Sequence, residues 1–248
     1  MLKIENLTVN VSGREVLTGI NLEIKKGRRL ALLGPNGSGK TSLVMAIMGF
    51  SDYQITQGNI VFNGKSINDL TIDERARLGI GVMLQRPPTI KGIKTRQVVQ
   101  LIKQDDFNID KEAGEINLKE FLDRDINLGF SGGELKRSEL LQLLAGSPQL
   151  GLFDEPESGV DLENIALVGK VMNRILNKNK DNAGLIITHT GYIFDYVKPD
   201  ESCVLVGGRI HCVGDPKEIL KTIKKHGYKW CITCEGEKLK KKFQRQAG

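Results

Sequence analysis

No stretch of the chain comes near the ~18 consecutive apolar residues that a membrane-spanning helix needs. The start also lacks a basic region followed by an apolar one. Leu2 to Val11 alternates polar and apolar residues instead, which argues against a secretory signal. Direct membrane insertion is therefore not expected, and a cytoplasmic location is. Cysteine is missing from the first 200 residues; Cys203, Cys212, Cys231 and Cys234 all come later, which excludes a disulfide-stapled scaffold. Internal repeats and low-complexity linkers are absent. So is any aromatic residue between Leu2 and Gly27.

What remains fits a folded enzyme-sized unit. The 248 residues are 40% apolar and 27% charged, too apolar for a disordered chain. The length suits one large domain, or a core with one inserted subdomain. The net charge is +6, and ten Lys/Arg residues fall between Lys217 and Arg245 against Glu218, Glu235 and Glu237. This run reads as a solvated tail rather than as a surface for RNA or another anionic partner. The C-x-x-C pair Cys231 and Cys234 reads as incidental thiols in that exposed tail, although two thiolates are half of a tetrahedral metal site.

Short apolar segments alternate with helical patterns. Strands are expected at Leu2 to Val9, at Val16–Leu17 between turns near Ser12-Gly13 and Thr18-Gly19, and at Ile20 to Ile24. Further strands are expected at Arg29 to Leu33, Gly58 to Phe62, Ile80 to Leu84, Leu150 to Phe153 and Leu185 to Thr188. A hairpin is expected at Val204–Val206 and Arg209–Cys212. Helices are expected at Thr41 to Phe50, Thr95 to Lys103, Leu118 to Leu122, Gly132 to Ala145, Leu162 to Leu176, Tyr192 to Val197 and Pro216 to Lys225. Residues 91–128 read as a small helical insert, with 105–110 an acidic separator. The alternation implies an α/β fold with a largely parallel sheet covered on both faces.

Glycine accounts for 28 residues, and its clusters mark backbone shaped to approach a ligand. Gly34-Pro35-Asn36-Gly37-Ser38-Gly39-Lys40-Thr41 satisfies G-x-x-x-x-G-K-[ST], with an apolar strand before it and an apolar helix after. Backbone N–H groups and the helix N-terminus would cradle phosphates, with Ser42 in the first helical turn. Lys40 is placed for the β- and γ-phosphates of ATP, and the Thr41 hydroxyl for Mg²⁺. The strand Leu150 to Phe153 ends in Asp154-Glu155. Asp154 is expected to hold Mg²⁺ or its water, and Glu155 to polarise the water that attacks. His189 follows another apolar strand and is a candidate γ-phosphate contact. Gln85 ends a third strand and is a candidate for the metal shell or the attacking water. Without an aromatic partner, adenine is expected near Val11 or Val16.

Phe130-Ser-Gly-Gly-Glu-Leu-Lys-Arg137 resembles the signature sequence of ABC-type ATPases, and the motif order matches that superfamily. The resemblance implies an antiparallel N-terminal β subdomain and a helical subdomain at about 91–145, within an ATP-binding domain spanning 1–230 and followed by a basic tail at 231–248. It implies that Gln85 is the glutamine coupling the insert to the metal site. It further implies that Glu155 is the catalytic glutamate, Asp161 the D-loop aspartate and His189 the switch histidine. Ser131, Gly132 and Gly133 would cap the γ-phosphate of ATP held by a second copy, in a transient ATP-dependent dimer.

Within the superfamily the chain resembles the SufC family, the ATPase subunits of the SUF iron–sulfur cluster assembly machinery. The likeness rests on Gly49 to Gly58, Gln85-Arg-Pro-Pro88, Asn127 to Arg137, Asp154 to Asp161, Asp195 to Asp200 and His226 to Trp230. It implies partners resembling SufB and SufD, and no nucleic acid. The insert is short, with 46 residues from Gln85 to Ser131. Two rival readings stand beside it: a membrane-transporter ATPase, and a nucleic-acid-associated ABC ATPase.

Overall fold

The computed structural model describes residues 1–232. Most of the basic tail, with Cys234, lies outside them. The chain opens with β1 (Leu2–Val11), β2 (Arg14–Ile24) and β3 (Arg29–Leu33), then α1 (Lys40–Met48), β4 (Tyr53–Phe62), β5 (Lys65–Ser66), α2 (Ile72–Arg77) and β6 (Ile80–Met83). A helical stretch follows: α3 (Thr95–Ile102), α4 (Ile109–Glu115), a 3-10 turn at Lys119–Phe121, and α5 (Gly132–Gly146). The remainder is β7 (Leu150–Asp154), α6 (Leu162–Asn177), β8 (Ala183–Thr188), β9 (Glu201–Val206), β10 (Arg209–Gly214) and α7 (Pro216–His226).

Two sheets result. The first is antiparallel, in the order β2-β1-β4-β5; the second runs β10-β9-β3-β8-β7-β6 and is parallel except for β10. Every residue of β7 and of β8 is buried, as strands covered on both faces require. One apolar core, including Leu43, Ile47, Leu152 and Leu185, joins the two sheets through α1. A second, including Leu140, Phe153, Val168 and Ile186, joins the parallel sheet to α5, α6 and the helical insert.

Several sequence expectations are corrected. Thr18-Gly19 is no turn, because β2 runs straight through it. The central strand β1 bulges at Asn6 (φ 46°), shifting its register against both neighbours. Each neighbour answers with a glycine: Gly19 at φ 58°, and Gly58, where a Cβ would lie 2.4 Å from the Asn6 carbonyl oxygen. These glycines fit a bulge rather than ending a strand. The separator at 105–110 contains a helix start, since the Asn108 side chain accepts the Lys111 N–H at 3.0 Å and caps α4. Leu118 to Leu122 forms only a 3-10 turn, and Tyr192 to Val197 another, at Tyr192–Asp195. The sequence reading missed α2, which opens on a capping box in which Glu74 accepts the Thr71 N–H at 2.8 Å.

Candidate functional site

Four neighbouring parallel strands, β3, β8, β7 and β6, deliver their C-terminal ends side by side, and each continues into a residue singled out from sequence. The loop after β3 turns tightly. A Cβ on Gly34 would lie 2.3 Å from the Leu205 carbonyl oxygen, and Gly39 caps α1 at φ 104°. Only glycine takes the second conformation without strain. Lys40 folds its ammonium back onto the loop, donating to the carbonyls of Gly34 (2.9 Å) and Pro35 (3.0 Å). Burial lowers its pKa, opposed by the charges of Glu155 and Asp154.

Thr41 Oγ1 donates to Asp154 Oδ2 at 2.7 Å. Asp154 is fully buried at the end of β7, and burial raises its pKa above the ordinary carboxylate value. Its Oδ1 has no hydrogen-bond partner, and neither has the buried Ser38 Oγ in the phosphate loop. An unpaired carboxylate oxygen beside a hydroxyl fits a hard divalent cation such as Mg²⁺. An orphan hydroxyl inside a ring of glycines fits a phosphate oxygen.

Glu155 is where the other predicted residues meet. It sits at φ 49°, a conformation costly for a non-glycine residue, and its N–H donates to the Ile187 carbonyl at 3.0 Å. Gln85 Nε2 donates to Glu155 Oε2 at 2.7 Å, and His189 Nδ1 lies 3.0 Å from Glu155 Oε1. Lys40, Thr41, Ser42, Gln85 and Glu155 share the wall of one cleft of about 570 Å³. Val16 lines that cleft and Val11 does not; Gly207-Gly208, the turn between β9 and β10, forms a wall that the sequence reading did not anticipate.

Ser131, Gly132, Gly133 and Asp161 are not in that wall and form a second cluster. Ser131 caps α5, and its N–H donates to Glu134 at 2.7 Å. Asp161 caps α6 by accepting the Asn164 N–H at 2.9 Å, which together with the Asn164 side chain holds the carboxyl below its usual pKa. The two caps are tied together. Arg137 donates to Asn164 Oδ1 at 2.7 Å, and a Cβ on Gly132 would lie 2.2 Å from the Gly159 carbonyl oxygen.

Three buried charged residues near these sites had no role assigned from sequence. Glu157 accepts from the hydroxyls of Thr188 and Thr190, fastening the turn after β7 to the turn after β8. Lys136 on α5 donates to the carbonyls of Leu84 (2.9 Å) and Gln85 (3.3 Å), and Glu139 accepts the Leu84 N–H at 2.8 Å. Burial pushes the Glu139 carboxyl up to about 7 and lowers Lys136. The available signal was charge at i, i+3 on a helix face also carrying Leu140 and Leu143. Cys231 needs a correction too: it is buried in a small core with Leu33, Val204 and Ile219, and accepts the Cys212 thiol at its carbonyl at 3.5 Å. Among the described residues no group of three or more His, Cys, Asp or Glu could hold a metal ion, and no helix is long and apolar enough to cross a membrane.

A glycine-lined loop between strand and helix, with a lysine inside it and a buried acid opposite its threonine, defines a P-loop ATPase. The ABC transporter family profile matches residues 17–158. A probable ABC transporter ATP-binding protein of Streptococcus pyogenes serotype M3 is 39% identical over 242 residues, covering 92% of this chain and 93% of the relative. Vegetative protein 296 of Bacillus subtilis is 36% identical over 247 residues, covering 92% of each. Among solved structures, cbiO1 of Clostridium perfringens, part of the ABC transporter complex cbiONQ, superposes with a TM-score of 0.69 at 27% identity over 90% of this chain and 93% of that one. An ATP-binding subunit of an ABC transporter gives 0.75 at 22% identity over 92% and 95%. The chain therefore belongs to the ABC transporter family of ATP-binding proteins, and it is an ATP-hydrolysing enzyme that uses Mg²⁺.

Proposed function

We propose that this ATPase works as a SufC-like subunit. Two copies pair around ATP and, on hydrolysis, separate, moving a soluble scaffold resembling SufB and SufD for iron–sulfur cluster assembly. The observation that carries the pairing is the division of the site within one chain: the cleft lined by Lys40, Thr41 and Glu155 does not include Ser131 to Gly133 or Asp161. A helix N-terminus presenting open N–H groups suits a γ-phosphate supplied by another copy. Head-to-tail pairing would complete two such sites by symmetry.

In this reading Lys40 leaves the carbonyls of Gly34 and Pro35 for the β- and γ-phosphates. Gly34 to Ser42, including Pro35, Asn36, Gly37, Ser38 and Gly39, wraps the phosphates with backbone donors. Thr41, Asp154 and Gln85 hold Mg²⁺, which when bound neutralises charge on the phosphate oxygens. Glu155 orients the attacking water and accepts its proton, and His189 steadies the γ-phosphate. Gln85 and His189 already flank Glu155 on its two oxygens. ATP and water become ADP and phosphate, and the bridge between the copies is lost.

The SufC-like partnership is supported by the likeness at 49–58, 195–200 and 226–230, which carry no residue of the phosphate site, and at 85–88 and 127–137 beyond Gln85 and Ser131 to Gly133 themselves. A second reading, the ATP-binding subunit of a membrane transporter, is favoured by the name that the Streptococcus relative carries. Native co-purification decides between them. A soluble scaffold recovered without detergent supports the first reading; a membrane permease that requires detergent supports the second.

A further inference from the structure

After α7 the chain turns at Gly227 (φ 74°) into a 3-10 segment, Tyr228–Ile232, which returns to the phosphate end of the sheet. Tyr228 packs with Leu33, Ile219, Ile223 and Cys231; Leu33 is the last residue before the phosphate loop. The Tyr228 hydroxyl lies 3.5 Å from the His189 carbonyl oxygen, to which it donates, and the Gly34 backbone N–H faces the same phenol oxygen. One hydroxyl can donate on one side and accept on the other, so it can bridge these two loops. Burial raises the Tyr228 pKa and keeps the donating proton in place. Helix α7, which leads into this segment, also meets the loop after β8, where a Cβ on Gly191 would lie 2.5 Å from Leu220.

We infer that Tyr228 is a positioning residue for ATP hydrolysis, its hydroxyl tying the His189 backbone to the root of the phosphate loop. It touches no phosphate. It acts through His189, whose ring stands 3.0 Å from Glu155 and is 39% exposed, so packing alone does not hold the imidazole. The contact is long, as contacts around a reaction centre often are before the substrate closes them. The ring of Tyr228 carries the packing and the hydroxyl carries the bridge, so Tyr228→Phe separates the two. The inference rests on the reading of His189 as a γ-phosphate contact.

The test uses the full chain with Tyr228→Phe and His189→Ala. It measures steady-state ATP hydrolysis, the urea midpoint and the imidazole NMR signals; the sequence has only three histidines, at 189, 211 and 226. Tyr228→Phe is expected to lower kcat about five- to tenfold, with KM within about twofold, an unchanged urea midpoint and a shifted His189 signal beside an unmoved His211. A native kcat in Tyr228→Phe while His189→Ala is slow overturns the inference and leaves the site reading standing. A lowered kcat with an unmoved His189 signal overturns it as well. A native kcat in His189→Ala overturns the reading of His189, and the inference with it.

Discussion

Glu139 accepts the backbone N–H of Leu84 at 2.8 Å, two turns along the helix that Ser131 begins. One rigid helix thus carries a residue proposed to meet a second copy's ATP and a residue that holds the strand end leading into Gln85. Lys136, on the same helix, takes the Leu84 and Gln85 carbonyls. Three hydrogen bonds thus fasten the helix that Ser131 begins to the segment leading into Gln85.

The cost of burying Glu139 should be visible in its pH dependence. The groups facing it are Lys136 on its own helix and Asp154 on β7. Its carboxyl titrates near 7 in the folded chain against an ordinary 4.5, so between these values the folded state holds a proton that the unfolded state has released. Stability from this group is full below the unfolded pKa and is lost as pH rises through the folded one. Glu139→Gln keeps the acceptor for Leu84 and removes the titration. Urea unfolding from pH 5 to pH 8 should show the variant gaining on the wild type by up to roughly 3 kcal/mol. Parallel curves would contradict the assignment.

Lys40→Ala should weaken ATP binding by about 100-fold, because a buried charge-assisted contact to the phosphates is lost. The fold itself should survive, since Lys40 bonds only two loop carbonyls. Calorimetric titration with ATP and Mg²⁺ checks the affinity, and an unchanged value would remove Lys40 from the site.

Arg75 offers a stability test remote from chemistry. Its fully buried guanidinium donates to the carbonyls of Ala46 (2.8 Å), Ile47 (2.9 Å) and Asn68 (2.8 Å), and its Nε to Leu70 (2.9 Å). Two of these carbonyls belong to the last turn of α1, which leaves the phosphate loop. Arg75→Ala orphans them and should cost roughly 3 kcal/mol in urea unfolding. A loss under about 1 kcal/mol would show that water replaces the side chain.

Each strand-end residue could be read from sequence, because an apolar run followed by Asp154-Glu155, His189 or Gln85 announces itself locally. Their convergence could not. It depends on β6, β7 and β8 lying side by side, a topological fact that no local spacing records. Lys136 and Glu139 escaped because charges at helical spacing ordinarily face water, and only the fold of the insert over β6 buries them. The Asn6 bulge escaped for a similar reason: Gly19 reads as a turn signal and Gly58 as the start of a strand until the strand between their own strands is seen. The capped starts of α2 and α4 were legible at Thr71-Ile-Asp-Glu74 and at Asn108, but their short apolar faces hid them.

Glu155→Gln gives the most direct test of the whole account, which holds that one copy binds ATP and a second completes the site. The amide keeps the shape of the side chain between Gln85 and His189 and cannot take a proton from water. With ATP and Mg²⁺, size-exclusion chromatography with light scattering should show this variant as a dimer, reverting to monomer when ADP replaces ATP, with hydrolysis reduced at least about 100-fold. A variant that hydrolyses ATP at the native rate, or that binds ATP and stays monomeric, would contradict it.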